Sequence, residues 1–334
     1  MNKHLLLALT LCVSLHGYGQ KMHQLVSPNG NIQVSINISD KIYYDIVCQK
    51  DTLLKQCNLQ MQLGDEEAGN HPKLIKANRK SINESLKPII ALKHSTVSNK
   101  YNQLQLKFKG DYSVEFRAFD DGIAYRFITN KKGMIEVGNE IFQVNFPENY
   151  LLHMQQPGGF KTAYEEEYRH VQSQEWKATG SMALLPLLID TRKDYKILIS
   201  ESALADYPAL FLKSNDRNGM LSVFPKVPLE FGEDGDRSLK ILKEANYIAK
   251  TNGQRCFPWR YFVITKDDGQ LIENTMTYKL ADKNVLEDTS WIKPGLASWE
   301  WWNGATPYGQ DVDFVAGCNL DTYKYLPLIT ESPI

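Results

Sequence analysis

Several features that would indicate a metal-stabilised, nucleotide-binding or nucleic-acid-binding protein are missing from this sequence. Only five cysteines occur among its 334 residues, and their spacing fits no zinc-binding pattern. There is no glycine-rich phosphate loop and no nucleophile elbow. The 38 basic and 39 acidic residues leave a net charge of −1, which gives no electrostatic reason to expect nucleic acid or an anionic membrane as a partner. What remains is the composition of a soluble globular protein, 43% apolar and 23% charged.

Long apolar runs are also absent, except at the N-terminus. Lys3 precedes an apolar run over residues 5–15, and the small residues Gly17 and Gly19 provide a cleavage pattern. The run is too short to cross a bilayer, so residues 1–19 are predicted to be a secretory signal peptide. We therefore expect a secreted protein, periplasmic in a cell with two membranes, that is not membrane-bound after signal removal.

The cysteines leave two questions open. Cys12 could accept a lipid, but Leu11 stands where a lipoprotein signal normally has a small residue, so lipidation is the lesser alternative. Cys48 and Cys57 could form a disulfide in an oxidising compartment. The interpretation favoured here is that both are buried, unpaired thiols that pack like small hydrophobic side chains.

From about residue 22 to residue 265, the sequence predicts strand after strand. Apolar residues alternate with polar ones in the segment 31–38 and again on both sides of Asp120-Asp121-Gly122, where the Asp-Gly pair favours a hairpin. The number and length of these segments predict a large antiparallel β domain, a sandwich of two big sheets. The best helical pattern is at residues 270–286.

Near the end of the chain, three tryptophans occur within four residues. Trp299, Trp301 and Trp302 lie in a segment that is predicted to be a buried strand opening a second domain. Aromatic rings stack on the apolar faces of sugars, so Trp301 and Trp302 are candidate carbohydrate-binding residues. The alternative is core packing, because strand alternation puts Trp301 and Trp302 on opposite faces.

Three polar groups are further candidates for chemistry. The acidic run that includes Glu165 could hold a hard cation such as calcium, although composition alone favours a solvated loop. Asp120 and Asp121 could act as acid and base, but a hairpin turn accounts for them more simply. His153 and His170 have no serine, cysteine or metal-ligand partner at an informative spacing.

The order of these features resembles glycoside hydrolase family 97. Four strings carry the resemblance: Ser27-Pro28-Asn29-Gly30, the hairpin from Val114 to Phe127, Tyr164-Glu165 with Tyr168, and Lys293-Pro294-Gly295 leading into Ser298 to Trp302. The family consists of calcium-dependent, exo-acting α-glucosidases and α-galactosidases. The resemblance implies a signal peptide at 1–19 and a carbohydrate-binding β-super-sandwich at 22–268. It further implies a partly helical connector at 269–293 and the start of a (β/α)8 barrel at 294–334.

The same resemblance implies which residue binds calcium and which catalytic residues have no counterpart in this sequence. Glu165 matches the glutamate that the family's N-terminal domain lends to calcium. The catalytic carboxylates of the family lie on later barrel strands and have no counterpart here, so no catalytic residue is assigned. Pro327 and Pro333 oppose the helix expected after the first barrel strand, which favours a truncated barrel. We therefore expect a truncated protein that binds an α-glucoside or α-galactoside without hydrolysing it.

Two alternatives to this expectation remain open at this point. The chain could be a glycan-binding module that complements a separately encoded barrel. It could also be a non-enzymatic β-sandwich scaffold whose likeness to the family is only architectural.

Overall fold

The computed structural model describes most of the chain. The described residues are 21–88, 92–235, 238–293, 295, 313–315 and 319–330. The chain divides into two compact units. They comprise residues up to 88 together with 93–283, and residues 89–92 together with 284–334.

The first unit is built almost entirely from strands. In the first half these are β1 (Lys21–Val26), β2 (Ile32–Ile38), β3 (Ile42–Cys48), β4 (Asp51–Leu63), β5 (Glu66–Ala68), β6 (Leu74–Leu86), β7 (Val97–Phe108), β8 (Tyr112–Phe119) and β9 (Gly122–Asn145). The remaining strands are β10 (Leu151–Gln155), β11 (Tyr168–Gln172), β12 (Leu187–Asp190), β13 (Lys196–Ser202), β14 (Phe211–Ser214), β15 (Gly219–Val223), β16 (Pro228–Glu233), β17 (Leu239–Glu244), β18 (Ala249–Cys256) and β19 (Trp259–Thr265). Two short helices follow, α1 (Asp268–Ile272) and α2 (Met276–Leu280).

Seventeen of these strands form one continuous network of antiparallel pairs, and β16 pairs only with β17. The 24-residue strand β9 is the most connected, because it pairs with β4, β8, β15, β18 and β19. The predicted mainly β chain with a large antiparallel sandwich is confirmed. The predicted first barrel strand lies outside the described residues.

Strand alternation places the core. Every second residue of β2 is buried, starting at Ile32, because successive side chains point to opposite faces of a strand. All seven residues of β19 are buried, since both of its faces are covered. Phe262 belongs to the main core, whereas Tyr261 and Val263 belong to a second cluster with Met276 of α2.

The hairpin predicted at Asp120-Asp121-Gly122 joins β8 to β9; its turn consists of Asp120 and Asp121, and Phe119 pairs with Gly122 across it. A side chain at Gly122 would not fit there. A Cβ at that position would lie 2.1 Å from the carbonyl oxygen of Phe262. Glycine thus permits β19 to approach β9 closely.

Cys48 and Cys57 are both buried and unpaired, which confirms the favoured interpretation of these two thiols. In the register of β3 against β4, Cys48 lies opposite Asp51 and Cys57 lies opposite Tyr44, so the two thiols belong to different cross-strand pairs. Burial raises the pKa of Cys57 to about 12.

In the second unit, helix α3 runs from Leu320 to Thr330. The prediction that proline opposes a helix in this segment is wrong for Pro327, which lies inside α3. Proline removes one backbone N–H and so costs a helix one hydrogen bond, and α3 continues past that loss. None of the helices among the described residues is both long and apolar enough to span a membrane.

Candidate functional site

The predicted calcium ligand Glu165 lies in the loop between β10 and β11. Residues 161–170 are all exposed. The side chain of Glu165 has no hydrogen bond or ion pair with any described residue. A carboxylate left free in this way is available to an incoming cation.

Aromatic contacts give this loop a defined shape. The ring of Phe160 packs edge-on against Phe211 with centroids 5.0 Å apart, and Tyr164 lies 5.9 Å from the same ring. The hydroxyl of Tyr164 donates a hydrogen bond to the carbonyl of Phe160. Gln155 donates from its amide nitrogen to the carbonyl of Glu166 at 2.5 Å. The backbone on either side of Glu165 is therefore held in place.

Lys161 joins the Glu165 loop to the β16–β17 hairpin. Its ammonium group lies 2.9 Å from Asp234 and also donates to the carbonyl of Leu239. The hairpin carries five large apolar side chains, each 42–55% accessible to solvent and distributed over its two faces: Leu229, Phe231, Leu239, Ile241 and Leu242. Exposed apolar side chains in such numbers are typical of protein-binding, membrane-binding and ligand-binding surfaces. The loop and the hairpin thus form one exposed region, which we call the loop–hairpin surface.

The loop–hairpin surface does not contain a complete metal site within the described residues. Among them, no three histidine, cysteine, aspartate or glutamate side chains are grouped closely enough to hold a metal ion. Calcium takes six to eight oxygen ligands, so Glu165 could supply only part of such a site. Its chemistry and its free carboxylate fit the predicted role, and the other ligands would have to come from elsewhere. Calcium binding stays a prediction.

Two histidines that sequence spacing left without a role are brought together by the sheet. His153 of β10 and His170 of β11 lie opposite each other, with their Nδ1 atoms 2.7 Å apart. Burial and the neighbouring His170 imidazole lower the pKa of His153. Sequence spacing does not reveal this pair, because the residues are 17 positions apart and meet only through strand register.

A cleft of about 420 Å³ includes both residues of the Asp120–Asp121 turn. Asp120 accepts a hydrogen bond from the backbone N–H of Asn29 at 2.8 Å. Asp121 pairs with Lys279 at 2.8 Å. Glu273, on the same cleft, is paired with Lys93, which lowers its pKa. Glycoside hydrolysis needs a carboxylic acid with a raised pKa opposite a second carboxylate, and this cleft instead contains carboxylates held by donors.

A second carboxylate pair is buried in the core. Arg260 is fully buried and bonds to both Glu140 and Glu201. Burial raises the pKa of Glu201, and the nearby Glu140 carboxylate adds to the effect, whereas Arg260 opposes it. None of the described cavities lies beside this group, so it offers no room for a sugar. The tentative sugar-binding residues Trp301 and Trp302 lie outside the described part of the chain.

Comparison with known proteins decides the family. The sequence profile of the glycosyl hydrolase 97 N-terminal domain matches residues 25–282. The chain belongs to glycoside hydrolase family 97. It is 33% identical over 336 aligned positions to a retaining α-galactosidase of Bacteroides thetaiotaomicron, an alignment that covers 97% of this chain and 50% of that protein. It is 26% identical to a probable retaining α-galactosidase of Streptomyces bingchenggensis, covering 64% of this chain and 30% of the relative.

Solved structures agree with this family in fold. A family 97 enzyme from Pseudoalteromonas sp. strain K8, solved in complex with acarbose, superposes with a TM-score of 0.69 at 22% identity. The match covers 82% of this chain and 40% of that enzyme. A β-arabinopyranosidase structure gives a TM-score of 0.61 at 19% identity, covering 73% of this chain and 40% of that protein. The chain thus spans about half the length of the first family 97 relative and less of the others.

Proposed function

We propose that this chain is the carbohydrate-binding N-terminal part of a calcium-dependent, exo-acting α-glycosidase, an α-glucosidase or an α-galactosidase, and that it does not hydrolyse glycosides alone. The observation that carries the proposal is the family match over residues 25–282, which is a match to the family's N-terminal domain. The carboxylates around the Asp120–Asp121 cleft are held by hydrogen bonds and ion pairs, which supports the absence of hydrolysis. We also propose that residues 1–19 direct secretion, to the periplasm in a cell with two membranes.

The test of this proposal is to measure binding and turnover on the same preparation. Panose, which is bound by a family 97 structure from Pseudoalteromonas, is a suitable probe for calorimetry. We expect heat of binding for panose or for an α-galactoside, and no release of p-nitrophenol from the corresponding p-nitrophenyl glycosides. Hydrolysis that disappears in Asp121→Asn would instead assign catalysis to the cleft and contradict the proposal. Absence of binding to either sugar would refute the carbohydrate-binding part alone.

Sugar binding by Trp301 and Trp302 can be tested separately, with Trp291 as the control. Stacking of a sugar on an indole ring predicts that Trp301→Ala or Trp302→Ala weakens binding. Trp291 is 70% exposed in the same unit and has no proposed role, so Trp291→Ala should bind as the unmodified chain does. Equal affinity in all three variants would remove Trp301 and Trp302 from the binding site.

A second candidate function is favoured by the loop–hairpin surface. Glu165 offers one calcium ligand where several are needed, and five apolar side chains beside it are exposed. Both observations are accounted for if a polypeptide carrying the other half of a family 97 protein docks there and completes the metal site. In this case the chain acts as a complementing module.

Docking of this kind can be tested with the C-terminal half of the Bacteroides thetaiotaomicron relative as the partner. We expect co-elution in size-exclusion chromatography that is lost in the double variant Phe231→Asp/Leu239→Asp. Met22 and Val285 are also exposed apolar residues but lie outside the loop–hairpin surface, so Met22→Asp/Val285→Asp is the matched control. A mixture that never co-elutes, or one that the control disrupts equally, would contradict the complementing role.

A further inference from the structure

The facing pair His153 and His170 lies on the outer face of the sheet, away from the core. On β10 the neighbours Leu152 and Met154 are buried, so His153 points to the opposite side. His170 is exposed to solvent and His153 is half-buried. Both imidazoles are therefore accessible to a small ligand, and their backbones are fixed by the ladder of β10 with β11.

The arrangement of the two rings is that of a chelating pair. Their centroids are 4.7 Å apart and their planes are nearly perpendicular, at 70°. With the Nδ1 atoms 2.7 Å apart, one nitrogen donates its hydrogen to the other. Two nitrogens bound tetrahedrally to one zinc ion at about 2.0–2.1 Å each lie about 3.3 Å apart. A rotation of the rings that widens the pair by about half an ångström would thus replace the shared proton with a metal ion.

Two further polar groups lie on the same face of the sheet as the pair. Gln172 follows His170 by two residues on the same face of β11, and its side-chain oxygen is buried without a hydrogen-bond partner. Asp190 of β12 lies opposite Leu151 on β10 and raises the pKa of His153, although burial and His170 lower that pKa overall. Lys196 lowers the pKa of His153, and its ammonium group lies 3.7 Å from the Asp190 carboxylate. The pair thus has an unsatisfied oxygen on its own face of the sheet and the Asp190–Lys196 ion pair nearby.

We propose that His153 and His170 form a binding site for a divalent transition metal of borderline softness, with zinc as the representative. Imidazole nitrogen is a preferred ligand of zinc, copper and nickel, whereas calcium prefers oxygen. The two histidines supply the protein ligands, and water fills the remaining positions. Each neutral imidazole binds through Nδ1 and keeps its proton on Nε2, so the step needs a change of tautomer and no net proton release. The site is separate from the calcium role proposed for Glu165 and does not depend on it.

The experiment is a calorimetric titration of the full chain, purified without a histidine tag, with zinc chloride. We expect one zinc per chain at the pair, and His170→Asn should weaken that binding by about tenfold or more, since it removes one of two ligands. His71→Asn is the matched control, because His71 has a positive φ of 42° that asparagine tolerates. Excess calcium should leave the zinc affinity unchanged.

A second readout separates metal binding from folding. Zinc should shift the ring resonances of His153 and His170 in NMR spectra and leave those of His71 in place. Far-UV circular dichroism of His170→Asn should match the unmodified chain, because the side chain is exposed. The proposal is overturned if millimolar zinc gives no heat, or if His170→Asn binds zinc as tightly as the unmodified chain does.

Discussion

The guanidinium of Arg260 donates two hydrogen bonds to the carboxylate of Glu140, at 2.9 and 2.8 Å. The two residues are 120 positions apart in the sequence. Glu201 accepts a third bond from the same guanidinium. One cation therefore faces two carboxylates inside the core. A buried ion pair contributes little net stability compared with an apolar core, but it is costly to break, because the remaining charge is left uncompensated.

Replacing each member of this group should give a definite order of stability. Arg260→Met leaves two buried carboxylates without a cation and should lower the free energy of unfolding by about 3–5 kcal/mol. Glu140→Gln leaves one guanidinium N–H unsatisfied and should cost about 1–3 kcal/mol. Glu201→Gln keeps an acceptor for Arg260 and should cost less than about 1 kcal/mol at neutral pH. Urea denaturation of the three variants checks the order, and equal losses for Glu140 and Glu201 would contradict it.

The raised pKa of Glu201 predicts a pH dependence of stability. Because the folded pKa lies above the unfolded one, the native state binds more protons than the unfolded state in the interval between them. This contribution is fully present below the unfolded pKa, near 4.3, and is lost as the pH rises through the folded value. Glutamine at position 201 does not titrate, so Glu201→Gln does not lose stability in this way. The difference in the free energy of unfolding between the unmodified chain and Glu201→Gln should therefore shrink from pH 4 to pH 7. A disadvantage that grows over this range would mean that the pKa is lowered.

Because β19 lies so close to Gly122, an alanine substitution should cost much more stability at Gly122 than at Gly158. Gly122→Ala would push a Cβ into the carbonyl of Phe262, and the backbone of β9 or β19 would have to move, at a cost of roughly 2–3 kcal/mol or more. Gly158→Ala is the control, because a Cβ there meets nothing within 4 Å. Thermal melts of the two variants should differ clearly, and a neutral Gly122→Ala would show that the strands can separate without penalty.

Calcium binding by the chain alone is predicted to be weak. A single carboxylate is far fewer ligands than calcium takes, so we expect a Kd weaker than about 1 mM. Glu165→Gln should leave the melting temperature in excess calcium unchanged, as should the control Glu166→Gln. Tight binding that is lost only in Glu165→Gln would show that the chain itself supplies the missing ligands.

The thiols are predicted to react in order of burial. Cys256 is exposed, whereas Cys57 is buried and has a pKa of about 12, so it carries almost no thiolate at pH 8. Iodoacetamide should label Cys256 in the native protein and Cys57 only after unfolding, as peptide mass spectrometry can follow. A native Cys48–Cys57 disulfide in the same maps would contradict the structure.

Parts of the fold that depend on local pattern could be predicted from the sequence. The alternation in β2 and the Asp120–Asp121 hairpin are examples, because a half-buried strand and a two-residue turn each leave a signal within a few residues. Strand β6, from Leu74 to Leu86, was not predicted. Its residues are exposed or half-buried and mostly polar, so no alternation of apolar residues marks it. It is held by twelve cross-strand pairs with β7, which the backbone supplies.

The candidate sites also differ in whether the sequence reveals them. Glu165 was found only through the resemblance to family 97, since its own neighbours predict a solvated loop. The pairing of His153 with His170 and of Arg260 with Glu140 depends on strand register across 17 and 120 positions. Register of this kind is set by the whole sheet, and no local pattern carries it.

The many partners of β9 have a consequence for synthesis of the chain. Strand β9 ends at Asn145, but its partner β19 is complete only at Thr265. At about 5–20 residues per second, a ribosome would need roughly 6–24 seconds to deliver those 120 residues. During this time the backbone groups of β9 that β18 and β19 later engage have no partner on the nascent chain. Slower translation therefore lengthens exposure to aggregation, and a chaperone that shields β9 would raise the yield of folded protein.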